Sequence, residues 1–125
     1  MTLEKFTRQQ RANYPAITIR KNGTVCVNNY AIEQYSLQKV RLVTLHYDRK
    51  ESIMGIKPGD DDKDPSAFRV SKGKGRTFII ACQAFLKHCG IAFKEGSKIL
   101  RAGWDDKMKV MLVKLQQNHS KEVKT

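Results

Sequence analysis

The stretch "RTFIIACQAFLKHCGI", Arg76 to Ile91, decides how this chain folds. "RTFII" is apolar and β-branched and reads as a strand. "ACQAFLKHCG" reads as a short helix, and Gly90 ends it as a C-terminal glycine does, because glycine enters the left-handed conformation without steric cost. The same order occurs once before. "TVCV", Thr24 to Val27, alternates as a strand, and "NNYAIEQYSL" follows it. Asn28 or Asn29 can cap that second short helix, with Tyr30, Ala31, Ile32 and Tyr35 at helical spacing.

Working outward, each stretch has the same flanks. "AITIR" and the turn "KNG" precede the first; "AFRVS" and the turn "KGKG" precede the second. Two strands follow each helix: "VRLVTLHYD" and "IMGIK" across "DRKES", then "SKILRAGW" and "MKVMLVKL" across "DDK". In "VRLVTLHYD" one face carries Val40, Leu42, Thr44 and His46, the other Arg41, Val43, Leu45 and Tyr47. Both are partly apolar, so the pattern alone does not choose the inner face. An offset of 54 places Ile32 on Leu86, Tyr35 on Cys89, Ser36 on Gly90 and Leu37 on Ile91; an offset of 57 places Asp48 on Asp105, Ile53 on Val110, Ile56 on Val113 and Lys57 on Lys114. The shared order makes a duplicated unit the better account.

A unit this small cannot close a core alone, and a barrel removes exposed strand edges. The expected fold is mainly β with two short helices: a pseudo-two-fold barrel of two strand-strand-helix-strand-strand repeats. The expected organisation is a flexible basic arm over 1–14 and one domain over 15–115. That domain holds repeats 15–58 and 66–115, joined by the acidic loop "PGDDDKDPS" over 58–66, and a flexible tail follows over 116–125.

The charge sets the class of partner. The chain of 125 residues has 24 Lys and Arg against 12 Asp and Glu, a net +12, and four of those acids are Asp60, Asp61, Asp62 and Asp64. Such a balance favours polyanions, nucleic acid before anionic membrane. No apolar run reaches the roughly 18 residues that cross a bilayer, and the first 15 residues show no apolar leader, so no membrane association is expected. Cys26, Cys82 and Cys89 form no CxxC pair and lie in apolar segments, which reads as buried reduced thiols in a cytoplasmic protein.

Chemistry-bearing constellations are absent from the sequence pattern. His46, His88 and His119 have no zinc spacing, His88 and Cys89 as helix neighbours point apart, and the acidic loop lacks the glycine and terminal glutamate of a calcium loop. No enzyme activity, cofactor or metal is expected. The loop "VSKGKGRTFII", Val70 to Ile80, lacks the spacing of a phosphate-binding P-loop, and a strand follows it instead of a helix. It reads as a hairpin tip projecting Lys72, Lys74 and Arg76, with glycines that allow close approach to a phosphodiester. The matching tip carries Arg20 and Lys21, and Arg8 and Arg11 lie on the amino-terminal arm. Trp104, Tyr47, Phe78, Phe85 and Phe93 are patterned with the apolar residues and read as core before base-stacking platforms; between those two readings Tyr30 and Tyr35 are the least decided. The acidic loop is a solvated linker, or a shield for the basic tips.

"GTVCVNNYAIEQYSL…LHYDRKESIMGIKP" resembles the hairpin–helix–hairpin unit of AbrB-type (AbrB/MazE/SpoVT) swapped-hairpin DNA-binding domains, and "GRTFIIACQAFLKHCGI…GWDDKMKVMLVKL" resembles it more closely. Gly75-Arg76 sits where that family has its Gly-Arg, and Gly90-Ile91 looks like its "GI". In this alignment the first copy has Thr24 where the second has Arg76. The family usually has a proline just before its helix, where Asn28 and Ala81 fall here. The chain is also similar to small bacterial proteins of the same two-copy layout. The resemblance implies a barrel that two chains build in the family and that one chain builds here. The resulting expectation is a nonenzymatic nucleic-acid-binding protein, a transcriptional regulator or accessory binder, with Arg20, Lys21, Lys72, Lys74, Arg76, Arg8 and Arg11 as contacts. Duplex DNA is the favoured ligand over RNA, and the chain is a monomer or homodimer. The alternative is a protein-interaction module of antitoxin or scaffold type.

Overall fold

A computed structural model describes Leu3 and residues 13–115. Its strands are β1 (Ala16–Ile19), β2 (Thr24–Val27), β3 (Leu42–Asp48), β4 (Ile53–Gly59), β5 (Ala67–Lys72), β6 (Phe78–Ala81), β7 (Lys98–Asp105) and β8 (Val110–Lys114). Helix α1 (Asn29–Gln34) follows β2, α2 (Gln83–His88) follows β6, and one 3₁₀ turn spans Lys74–Arg76. The strands close an antiparallel barrel in the order β1-β2-β6-β5-β3-β4-β8-β7, with β7 returning to β1. Exchanging β1–β4 for β5–β8 leaves every neighbour in that ring unchanged. The duplication is therefore built into the topology, and the mainly-β barrel with two short helices is the fold.

The pairing registers locate the pseudo-dyad. Met54↔Val113 and Ile56↔Met111 exchange under the offset of 57, which leaves Gly55↔Leu112 on the axis. On the opposite wall Val25↔Ile80 and Val27↔Phe78 exchange under an offset of 53, which leaves Cys26↔Ile79 on the axis. Both helices close with the same backbone bonds at the offset of 54. The Leu37 N–H donates to the Ile32 carbonyl (2.8 Å) and Ile91 to Leu86 (2.9 Å), while Ser36 donates to Glu33 (3.4 Å) and Gly90 to Lys87 (3.1 Å). These are paired Schellman closures, with Ser36 (φ 56°) and Gly90 (φ 72°) left-handed. The β3–β4 and β7–β8 turns match at 57: Asp48 Oδ1 accepts from the Glu51 N–H (3.0 Å) and Asp105 Oδ1 from Met108 (3.1 Å).

The offset at the hairpin tips corrects the sequence alignment. The Arg20 N–H donates to the Thr24 carbonyl and the Gly73 N–H to the Thr77 carbonyl, both at 2.9 Å. Gly23 (φ 84°) and Arg76 (φ 61°) take the same left-handed step. Thr24 thus corresponds to Thr77, not to Arg76, and one extra residue, Ala81, precedes α2.

Both repeats feed one core. Ile17, Ile19, Met54, Ile80, Leu86 and Met111 are almost wholly buried, and each such side chain contributes about 1.5–3 kcal/mol on leaving water. On β3 the face of Val43 and Leu45 turns inward, and Leu42, Thr44 and His46 turn out. Pro58 and Gly59, read from sequence as loop, extend β4 opposite Val43 and Leu42. The β8 ladder stops at Ile56, so β4 is an edge there and tolerates a proline. The tips interleave with the opposite repeat's helix. The Gly23 carbonyl accepts from the Cys82 N–H (3.2 Å), and a Cβ on Gly23 would lie 2.6 Å from Gln83 Cβ. At the other tip the Arg76 guanidinium lies 3.9 Å from the Glu33 carboxylate on α1.

Candidate nucleic-acid interface

The first tip is a tight, self-bonded turn. The Gly23 N–H closes onto the Arg20 carbonyl (3.0 Å), and Asn22 Oδ1 accepts from both the Thr24 N–H (3.1 Å) and the Thr24 hydroxyl (2.7 Å). Arg20 is half-buried and Lys21 exposed. The second tip turns through consecutive left-handed residues, Gly75 (φ 65°) and Arg76, and the Thr77 hydroxyl donates to the Lys74 carbonyl (2.8 Å). Gly73 is required there, since a Cβ would lie 2.6 Å from Thr77 Oγ1; Gly75 faces open space. Lys72, Lys74 and Arg76 are exposed, the Arg76 side chain at 85%.

Because β2 and β6 are antiparallel, the tips leave opposite ends of the run β1-β2-β6-β5. The ladder between them runs from Thr24↔Ala81 to Val27↔Phe78, three steps or about 10 Å at roughly 3.4 Å per residue, with one tip beyond each end. The sequence-predicted cations are therefore two groups flanking one face. Between them, over the Cys26/Ile79 axis pair, runs a groove of about 680 Å³. Arg20 and Lys74 stand on it, while Thr18, Ile79, Ile99 and Tyr30 line it. Lys72 and Arg76 line a neighbouring depression of about 340 Å³ with Glu33 and Phe78, and Lys21 lines neither. Arg8, Arg11 and His119 lie outside the described residues; the described chain resumes at Asn13, on the groove wall.

Of the groove residues, sequence reasoning singled out Arg20 and Lys74 and left Tyr30 open, but it missed Thr18, Ile79 and Ile99. The available signal was Ile79, an apolar residue in the outward phase of β6, and Tyr30, an aromatic at a helix start whose counterpart is Ala84.

The acidic loop does not lie at the second tip. Asp60 and Asp62 border a depression of about 260 Å³ with Lys39, Arg41 and Arg69. The loop enters β5 at Ala67, whereas the second tip leaves β5 at Lys72, so strand length separates them. Oδ1 of Asp61 and of Asp64 accept from the Lys63 and Ser66 N–H groups (3.0 and 2.8 Å), which shapes the loop's own turns.

Phe78 and Phe93 are core, and Phe85 and Trp104 pack against it. Tyr35 joins them, stacked on Trp104 (5.3 Å between centroids) with its hydroxyl donating to the Ala102 carbonyl (3.2 Å); burial raises its pKa. Tyr47 is half-buried under the Arg49 guanidinium, 5.4 Å from the ring centre. All three cysteines are buried and free. Burial pushes the Cys82 thiol up to about 11 and also raises Cys89, so both stay protonated near neutral pH. Among the described residues no three His, Cys, Asp or Glu side chains are placed to hold a metal ion, and no helix is long and apolar enough to cross a membrane.

Comparison with protein-family models, with curated proteins and with solved structures finds no match in any of the three.

Proposed function

We propose that this protein binds nucleic acid without enzymatic action, gripping duplex DNA through its two basic hairpin tips, in the cytoplasm and in the role of a regulator or accessory binder. The observation that carries the reading is the pair of cationic tips set at opposite ends of one outer face about a pseudo-dyad. Duplex DNA has dyad symmetry in its backbone, and tips related by the pseudo-dyad, with Lys21 and Lys74 as the equivalent cations, suit it. Arg76 adds weight. It occupies a left-handed step that Gly23 takes freely in the first tip, at a cost of about 1–2 kcal/mol for a residue with a Cβ. Ser36, Ser52 and Lys109 take the same left-handed step at other turns, so the exposed charge of Arg76, and not its conformation alone, supports the reading. The resemblance to AbrB-type domains points the same way, and the buried free cysteines suit a reducing compartment.

A second reading, a protein-interaction module, draws support from the opposite end of the axis. There Ile53, Gly55, Leu112 and Met108 border an apolar depression of about 360 Å³, with Met108 61% exposed. Anisotropy of labelled duplex DNA, single-stranded DNA and RNA across a salt series separates the two. The nucleic-acid reading predicts micromolar or tighter binding with a log–log salt slope of several units. No binding at low salt, together with a stoichiometric protein partner that survives nuclease treatment, selects the second.

A further inference from the structure

The groove over the Cys26/Ile79 pair has a surface that backbone gripping does not use. Its cations, Arg20 and Lys74, stand where phosphates would lie, but Ile79, Ile99 and Tyr30 offer apolar and aromatic surface. Tyr30 and Ile99 are each 44% exposed, and both border this one groove, so their apolar surface is gathered and not scattered. Among the described residues none hydrogen-bonds to the Tyr30 hydroxyl or stacks on its ring. The fold does not demand an aromatic there, because the repeat supplies the control: Ala84 fills the same helical step in α2. At about 680 Å³ the groove falls within the roughly 300–1,000 Å³ of sites that enclose small ligands.

Phosphates against isoleucine gain nothing, whereas base faces do. A cationic rim with an aromatic and apolar floor is the combination that holds unstacked bases. We propose that this groove receives unpaired nucleotides of the bound nucleic acid, with bases against Tyr30, Ile79 and Ile99 and phosphates toward Arg20 and Lys74. The inference rests on the reading that the tips bind nucleic acid. It makes the preferred ligand a duplex with a short unpaired stretch, not a fully paired one.

The test compares a matched duplex with the same duplex carrying a central bubble labelled with 2-aminopurine, by anisotropy and by base fluorescence. The bubble duplex is expected to bind more tightly, with 2-aminopurine quenched on stacking. Tyr30→Ala should weaken bubble binding by about five- to 150-fold, change matched-duplex affinity by less than about twofold, and abolish the quenching. Tyr30→Phe should retain all three, and Ile99→Ala should act in the same direction as Tyr30→Ala. Equal affinity for both duplexes, or a bubble preference that Tyr30→Ala leaves intact, overturns the groove assignment and leaves the tips standing. No binding of either duplex at low salt overturns the reading of the tips and the groove assignment with it.

Discussion

The first hairpin tip turns on Gly23 and the second on Arg76, at the same step of loops closed by the same hydrogen bond. The helices differ in the same way. Asn28 caps α1, accepting from the Ala31 and Ala16 N–H groups (3.0 and 3.2 Å) and donating to the Tyr14 carbonyl (2.8 Å). Its counterpart Cys82 makes no side-chain cap and is buried. One backbone thus carries two surfaces. The helix closures and the β3–β4 and β7–β8 turns keep the same bonds in both repeats, whereas the helix cap is made in the first repeat only. Where a side chain meets solvent, the repeats have diverged, and Arg76 and Tyr30 are the costly or apolar choices set beside Gly23 and Ala84.

If the repeats share one core equally, Ile32→Ala and Leu86→Ala should each lose about 2–5 kcal/mol in urea denaturation, within about 1 kcal/mol of each other. A much smaller loss at one would break the symmetry of the core. The tips should respond unequally. Gly75→Ala places a Cβ in open space at positive φ and should cost about 1 kcal/mol. Gly23→Ala adds the collision with Gln83 and should cost about 2–4 kcal/mol, read as a shift in the denaturation midpoint.

The Asn28–Cys82 difference has a pH signature. The folded-state pKa of Cys82 is raised from 9.0 to about 11, so its contribution is complete below pH 9 and is lost as pH rises from 9 to 11. That loss should be on the order of 2–3 kcal/mol, and Cys82→Ala should remove it from the alkaline stability profile. The smallest stability effect is expected at Arg76→Gly. Relief of the left-handed step and the entropy of glycine oppose each other, so stability should change by less than about 1 kcal/mol, while the salt slope of DNA binding falls by about one.

The order of strands and helices was legible in the sequence because capping and turn chemistry restrict residue type. Ser36 and Gly90, and Asp48 and Asp105, mark matching steps even where their neighbours differ. The tip register was not legible. A left-handed step filled by glycine in one copy and arginine in the other misleads any alignment that matches Gly-Thr to Gly-Arg. The inner face of β3 depended on which face met the core, and Pro58 on where the β8 ladder ended. The groove is assembled from outward residues of several strands and one helix, so no single stretch displays it. The position of the acidic loop followed from barrel closure, which sets it beside Lys39, Arg41 and Arg69.

That patch supplies the control for the central claim, that the tips and not net charge alone hold DNA. Lys74→Glu/Arg76→Glu and Lys39→Glu/Arg41→Glu each remove four charges, taking both proteins from +12 to +8. Duplex affinity of the two is compared by anisotropy across one salt series. The account predicts that the tip variant loses about tenfold or more, with its salt slope lowered by about two, and that the patch variant changes only a few-fold. Equal losses in the two variants would contradict it, because binding would then follow overall charge and not the tips.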